Sequence, residues 1–128
     1  MKYRRVLTEK EIEKEILDAL MKHEDVFAFK VNTTGVFDPK RKIYRTIKNR
    51  HIHKGTSDIL GVWKGAFFAI EVKKPSTIKK AIENTLSPQS RFLSSVEEAG
   101  GIGRYMCSAD EVDAFLEVIK SSRRWLLG

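Results

Sequence analysis

The sequence has few of the residues that cross-link a chain or anchor it in a membrane. Its one cysteine, Cys107, excludes an internal disulfide and a cysteine-based zinc site. No uninterrupted apolar run approaches the ~20 residues that a membrane span needs, and the charged N-terminus has no signal-peptide core. These absences predict a cytoplasmic protein without a membrane partner. With 128 residues, 41% of them hydrophobic, the chain is expected to form one globular domain over residues 1–128.

Acidic residues are the scarcer charges, and the basic excess is concentrated in one stretch. The chain has 24 Lys and Arg against 17 Asp and Glu, a net charge of +7. The basic segment, residues 38–54, has seven Lys and Arg against the single acid Asp38. Focused positive charge favours a polyanion such as nucleic acid, and a solvated loop with no partner is the alternative. The candidate DNA-contacting residues are Lys40, Arg41, Lys42, Arg45, Lys48, Arg50, His51, His53, Lys54 and Lys74, with Lys79 and Lys80 as further backbone contacts.

Hydrophobic periodicity and capping residues predict three helices and four longer strands. The helices begin after the N-caps Thr8, Ser87 and Ser108, and the first should fade near Lys22. The strands are predicted at Val26–Thr33, Ser57–Trp63, Ala66–Lys73 and Ile102–Cys107, with a short strand around Ile43-Tyr44 and a hairpin turn at Lys64-Gly65. The order αβββαβα indicates an α/β fold in which a mixed sheet is flanked by helices.

Two carboxylates and a lysine form the main candidate site. Side chains alternate along a strand, so Glu71 and Lys73 share one face. If the two hairpin strands pair, Asp58 can approach Glu71. Converging carboxylates, with the backbone carbonyl of Val72 as a further oxygen, suit Mg²⁺ or Mn²⁺. The alternative is a surface ion pair between Glu71 and Lys73 on an edge strand.

Three short motifs resemble the PD-(D/E)XK nucleases. They are Gly55-Thr56-Ser57-Asp58-Ile59, Ile70-Glu71-Val72-Lys73 and Ser87-Pro88-Gln89. The chain is similar in particular to the small stand-alone VRR-NUC proteins that phages often carry. Looser matches are Asn32-Thr33-Thr34-Gly35 and Gly100-Gly101, so that the resemblance runs from Thr8 to about Leu116. The proline of the family's name is replaced by Ser57.

The resemblance implies a restriction-endonuclease-like core and a site assignment. Asp58 and Glu71 would be metal ligands, Lys73 the catalytic lysine, and Gln89 the glutamine beside the site. The spacing of Gln89 with Phe92 and Val96 also puts it on the inward face of its helix. Family members place an acidic residue of the first helix near the metal. Two candidates are open for that residue: Glu9, which spacing predicts to face inward, and Glu13 on the flank.

The function implied by the resemblance is hydrolysis of DNA. The chain would be a Mg²⁺- or Mn²⁺-dependent endonuclease for branched DNA, such as a four-way (Holliday) junction. It would act as a homodimer, and a phage or prophage origin would fit. Two other classes stay open. One is a nucleic-acid-binding protein without catalysis, and the other is a module that docks an acidic protein surface.

Overall fold

The computed structural model describes residues 5–31, 36–45 and 55–127, the side chains of 36–38, 43–45 and 123–127 excepted. The helices are α1 (Glu9–Met21), α2 (Ile78–Glu83), α3 (Pro88–Glu98) and α4 (Val112–Leu127), the last preceded by a 3₁₀ turn at Ala109–Glu111. The strands are β1 (Val26–Lys30), β2 (Val36–Asp38), β3 (Ile43–Arg45), β4 (Ile59–Trp63), β5 (Ala66–Val72) and β6 (Ile102–Met106). No described helix is long and apolar enough to cross a membrane.

Helix α1 begins and packs as the sequence predicts. Thr8 and Glu11 form a capping box, in which the Thr8 hydroxyl accepts from the Glu11 amide and the Glu11 carboxylate accepts from the Thr8 amide. Ile12, Ile16 and Leu20 recur at helical spacing and are all buried. The helix ends at its C-cap, Lys22, which confirms the predicted end.

A four-stranded mixed sheet carries the fold, in the order β1-β4-β5-β6. The β1–β4 and β4–β5 pairs are antiparallel, and β5–β6 is parallel. The predicted hairpin at Lys64-Gly65 is confirmed, with φ of 48° and 86° that are typical of a type I′ turn. A parallel pair needs a crossover connection, and here the crossover contains α2 and α3.

The two faces of this sheet are covered unequally. One face packs against α1 and α4, and its core includes Ile59, Phe68, Ile70, Phe115 and Ile119. The other face is covered by α3, whose Leu93 and Val96 pack against Ala69 of β5. The prediction of a mixed sheet flanked by helices is therefore confirmed.

The predicted element order αβββαβα is wrong, because the structure adds β2 and α2, which were not expected, and contains β3, the short strand expected around Ile43-Tyr44 but left out of that order. Strand β2 pairs with β3 in a separate two-stranded sheet, and α2 is inserted before α3. Helix α2 has six residues, no buried residue and no side-chain cap, so it has no capping residue to mark its start and is too short to show a sustained helical period. Strand ends also differ by one or two residues, and positions 32–33 of the predicted strand Val26–Thr33 lie outside the described residues.

The start of α3 offers a test of the capping prediction. The Ser87 hydroxyl accepts from the Ser90 amide at 3.1 Å. Ser87→Ala leaves that amide without its partner and is expected to lower the free energy of unfolding by ~1 kcal/mol, measured by urea titration. Ser87→Asp should retain most of this contribution, because aspartate is also a good N-cap. Ser95→Ala is the matched control, because the Ser95 hydroxyl donates within the same helix and caps no terminus. Equal effects of both alanines would contradict the assignment.

Candidate active site

The hairpin brings Asp58 and Glu71 together at one end of the sheet. Ile59 pairs with Ile70, so continuing the antiparallel register by one residue sets Asp58 opposite Glu71. The Val72 amide donates to Oδ2 of Asp58 at 2.8 Å. The Asp58 carbonyl accepts from the Val31 amide at 2.8 Å. These two bonds fix the Asp58 backbone and side chain between β1 and β5, and the carboxylate lies next to Glu71.

Glu71 is an ionisable group in a poorly hydrated position. It is 6% exposed, and its Oε2 has no hydrogen-bond partner among the described residues. Burial, followed by the negative charge of Asp58, raises the pKa of Glu71 to about 8. The charge of Lys73 works in the opposite direction. A side-chain hydrogen bond with Asp58 also raises this pKa, so the two carboxylates share a proton or need a cation between them.

The two acidic candidates of α1 have different surroundings. Glu9 is exposed and lies outside the buried stripe of α1, which begins with Ile12, so its predicted inward orientation stays a prediction. Its negative charge nevertheless contributes to the raised pKa of Glu71. Glu13 is 12% exposed and pairs with Lys30 at 3.2 Å. Of the two carboxylates, Glu9 is the one whose charge is among the causes of the raised pKa of Glu71.

Lys73 follows β5 directly and is held by the neighbouring strand. Its amide donates to the carbonyl of Met106 at 3.0 Å, and its half-buried side chain lowers the pKa of Glu71 through its charge. Lys74 is also half-buried, and the exposed Lys79 and Lys80 of α2 follow in the chain. Four lysines therefore follow the carboxylate pair within eight residues.

The first turn of α3 lies against the loop that leads to Asp58. Gly55 has φ of 76°, and a Cβ built on it would be 2.3 Å from the carbonyl carbon of Pro88 and 2.5 Å from the amide nitrogen of Gln89. Only a residue without a side chain allows this approach. Gln89 is half-buried at the second position of the helix. The structure thus brings the start of α3, and with it the backbone of Gln89, to the loop before Asp58.

A hydroxyl pair that the sequence did not indicate also fixes α3. Tyr105 is the β6 residue in register with Glu71. Its hydroxyl and the hydroxyl of Ser90 are 2.6 Å apart. A second unanticipated feature is Ser57, which is fully buried and whose Oγ has no partner among the described residues. Both arise from tertiary packing, which short sequence motifs do not encode.

The basic segment is described only in part. Lys40, Arg41 and Lys42 are exposed at the turn between β2 and β3. The side chain of Arg45 lies outside the described residues. So do the other predicted DNA contacts of this segment: Lys48, Arg50, His51, His53 and Lys54. The described part contributes three exposed cations.

The donor set of the carboxylate pair fits a small divalent cation. Mg²⁺ is commonly held by one or two carboxylates, with waters and phosphate oxygens completing six ligands. Asp58 and Glu71 supply those two carboxylates, and the unpartnered Oε2 of Glu71 is a ligand atom with no competing bond among the described residues. No group of three or more His, Cys, Asp and Glu in the described ranges could hold a metal. The remaining ligands would therefore come from backbone, water or substrate.

Comparison with known proteins does not assign the chain to a family. No protein-family model matches it, and no curated protein matches it. The chemistry of the Asp58–Glu71–Lys73 group is therefore the guide to function.

Proposed function

We propose that this protein is a metal-dependent endonuclease of the PD-(D/E)XK superfamily, of the VRR-NUC kind, that hydrolyses phosphodiester bonds in DNA. One observation carries the proposal: a buried glutamate with an unpartnered oxygen lies against a second carboxylate, with a lysine two residues further along the chain. Burial and the neighbouring negative charge of Asp58 disfavour the ionised form of Glu71, and a bound cation relieves that penalty. The motifs around Gly55–Ile59, Ile70–Lys73 and Ser87–Gln89 support the same proposal.

Each residue of the site has a distinct role in this proposal. Asp58 and Glu71 hold Mg²⁺ or Mn²⁺, and the Val72 carbonyl is a further candidate ligand, while Glu9 acts on the site through its charge and does not complete a group of three ligands among the described residues. When bound, the metal neutralises charge on the scissile phosphate and acidifies a water. Lys73 positions that water or stabilises charge that develops on the phosphate. The Val72 amide holds the Asp58 carboxylate in place through its 2.8 Å hydrogen bond.

Gln89 and the lysines serve binding in this proposal. Gln89 lies on the first turn of α3, beside the loop that carries Asp58. Lys74, Lys79 and Lys80, together with the exposed cations of the basic segment, contact the DNA backbone. Contacts of this kind read shape and charge, so affinity should fall as salt rises. A branched substrate such as a four-way junction, cut by a homodimer with two sites, belongs to the same proposal.

The test is cleavage of labelled four-way junction, flap, linear duplex and single-stranded DNA in Mg²⁺, Mn²⁺ or EDTA. The wild type is expected to cut in metal and to be silent in EDTA. Lys73→Ala should slow cutting by about 100-fold or more, because charge stabilisation and proton transfer contribute effects of that size. Lys64→Ala is the matched control, since Lys64 lies on the hairpin turn at the far end of β4 and β5.

Two outcomes would count against the proposal. If no substrate is cut in any metal while salt-sensitive DNA binding persists, the protein is a non-catalytic nucleic-acid-binding protein. If Lys73→Ala cuts as fast as Lys64→Ala, Lys73 has no part in the reaction and the site assignment is wrong.

A further inference from the structure

Two phenylalanine rings are exposed on the edge strand β1. Phe27 is 68% exposed and Phe29 is 47% exposed. Their ring centroids are 5.8 Å apart with an interplanar angle of 51°, so the rings are not stacked on each other. Burying such rings is strongly favourable, and their exposure next to a binding site points to a contact with another molecule.

The sheet register sets these rings beside the carboxylate pair. Phe29 pairs with Leu60. Asp58 lies two residues before Leu60, on the same face of the sheet, and is opposite Glu71. Two residues along a strand correspond to about 7 Å. Phe27 is opposite Val62, which places it two residues further along the strand and further from the carboxylates. The exposed rings and the carboxylates therefore occupy successive rows of one sheet face.

Helix α3 leaves this part of the face open. Leu93 and Val96 of α3 cover Ala69 of β5, with Leu60 and Phe92 packed at the margin of that cluster. The rings of β1 lie beyond that cluster and keep about half or more of their surface accessible. The open surface is thus continuous with the site at one end and bounded by α3 on its β5–β6 side.

We propose that Phe27 and Phe29 stack on unpaired bases of the strand to be cut, an inference that rests on the proposed nuclease function. Phenylalanine cannot read base edges by hydrogen bonding, but it offers a flat face to any base. In a duplex the base faces are hidden, so only unpaired nucleotides can use these rings. The position of the rings and the net charge of +7 fit a polyanion whose bases lie on β1 while its phosphate reaches the carboxylates. The substrate class is DNA with unpaired nucleotides next to the scissile phosphate.

The test measures binding of the full chain in EDTA, where no cutting occurs. The probes are fluorescent oligothymidylate, an abasic strand of the same length, and a linear duplex. Phe27→Ala and Phe29→Ala should each weaken oligothymidylate binding by about 5-fold to 100-fold, the range of one base–aromatic stack. Affinity for the abasic strand and the duplex should stay unchanged. Val118→Ala, at a 42% exposed valine on α4, is the control for loss of exposed apolar surface.

Conservative variants separate stacking from general apolar contact. Phe29→Trp should retain oligothymidylate affinity and Phe29→Leu should lose it, because leucine keeps apolar area without an aromatic face. Thermal melting of each variant checks that the fold is intact. The proposal is overturned if oligothymidylate does not bind, if Phe29→Leu binds like the wild type, or if the alanine variants weaken all three probes equally. It is also overturned if their effect is to dissociate a dimer in sedimentation, which would make the rings a contact between two copies.

Failure of this inference and failure of the nuclease proposal give different results. If the protein cuts DNA in Mg²⁺ but the alanine variants bind oligothymidylate like the wild type, the nuclease proposal is supported and the stacking proposal is wrong. If Phe27 and Phe29 mediate base-dependent binding but no DNA is cut in any metal, the stacking proposal is supported and the nuclease proposal is wrong.

Discussion

Glu71→Gln is expected to abolish metal-dependent cleavage and, at the same time, to make the protein more stable at pH 8. Glutamine keeps the shape of the side chain but removes the charge that holds the metal. Cleavage should fall by about 1,000-fold or more, since the metal's charge stabilisation amounts to several kcal/mol. Stability should move the opposite way, because the buried charge beside Asp58 destabilises the fold.

The pH dependence of this effect follows from the pKa of Glu71. In the folded protein that pKa is about 8, and its ordinary value is 4.5. Between these values the folded state keeps a proton that the unfolded state has released, so wild-type stability falls as pH rises from about 4.5 to about 8. Glu71→Gln lacks this loss, so its free energy of unfolding at pH 8 should exceed that of the wild type by roughly 2 to 4 kcal/mol. Near pH 4 the two proteins should be equally stable. Urea titration at several pH values measures the difference.

Added Mg²⁺ should narrow the gap at pH 8. A cation that binds only the folded protein raises the free energy of unfolding of the wild type by mass action, and Glu71→Gln should not respond. Glu98→Gln, at an exposed position of α3, is the matched control and should change neither cleavage nor the pH profile. A Glu71→Gln protein that is less stable than the wild type at pH 8 would show that the carboxylate has a stabilising partner. That result would remove the argument for a cation.

The part of the site that depends on local pattern could be predicted from the sequence. Lys64-Gly65 specifies a two-residue turn, and a two-residue turn fixes the register of both strands. Once that register is set, Asp58 must lie opposite Glu71. The prediction therefore needed no knowledge of the rest of the fold, because turn chemistry and strand alternation act over a few residues.

Elements without a buried face could not be predicted in the same way. Strand β2 has three residues, and α2 has six residues with no buried side chain. Neither is long enough to show a hydrophobic period. Helical spacing also failed to predict burial at the first residue of α1. Glu9 fits the spacing of the buried stripe but is exposed, because the stripe begins only with Ile12.

Contacts between distant segments were the least predictable part of the site. The Ser90–Tyr105 hydroxyl pair joins α3 to β6, and the exposure of Phe27 and Phe29 depends on how far α3 extends over the sheet. Both follow from the placement of α3 on the sheet. That placement is set by close packing at Gly55, where the loop before Asp58 meets the helix start.

Gly55→Ala adds one methyl group and is expected to be the most destabilising glycine-to-alanine substitution in this part of the structure. The backbone there has φ of 76°, which disfavours any side chain, and the new Cβ would be 2.3 Å from the Pro88 carbonyl carbon. Because the opposing atoms are backbone, the loop and the start of α3 must move apart. The free energy of unfolding should fall by about 3 kcal/mol, from left-handed strain and steric overlap together. Urea titration measures this loss.

Gly100→Ala separates the two causes. Gly100 has φ of 96°, but no atom of the described residues lies within 4 Å of a built Cβ, so its alanine variant carries the conformational strain alone, about 1 kcal/mol. Cleavage at a temperature where both variants are folded should then fall for Gly55→Ala and stay near wild type for Gly100→Ala, since only the former moves Gln89 away from Asp58. Equal losses of stability in the two variants would mean that the loop yields without shifting α3. In that case the contact at Gly55 would not determine the position of Gln89.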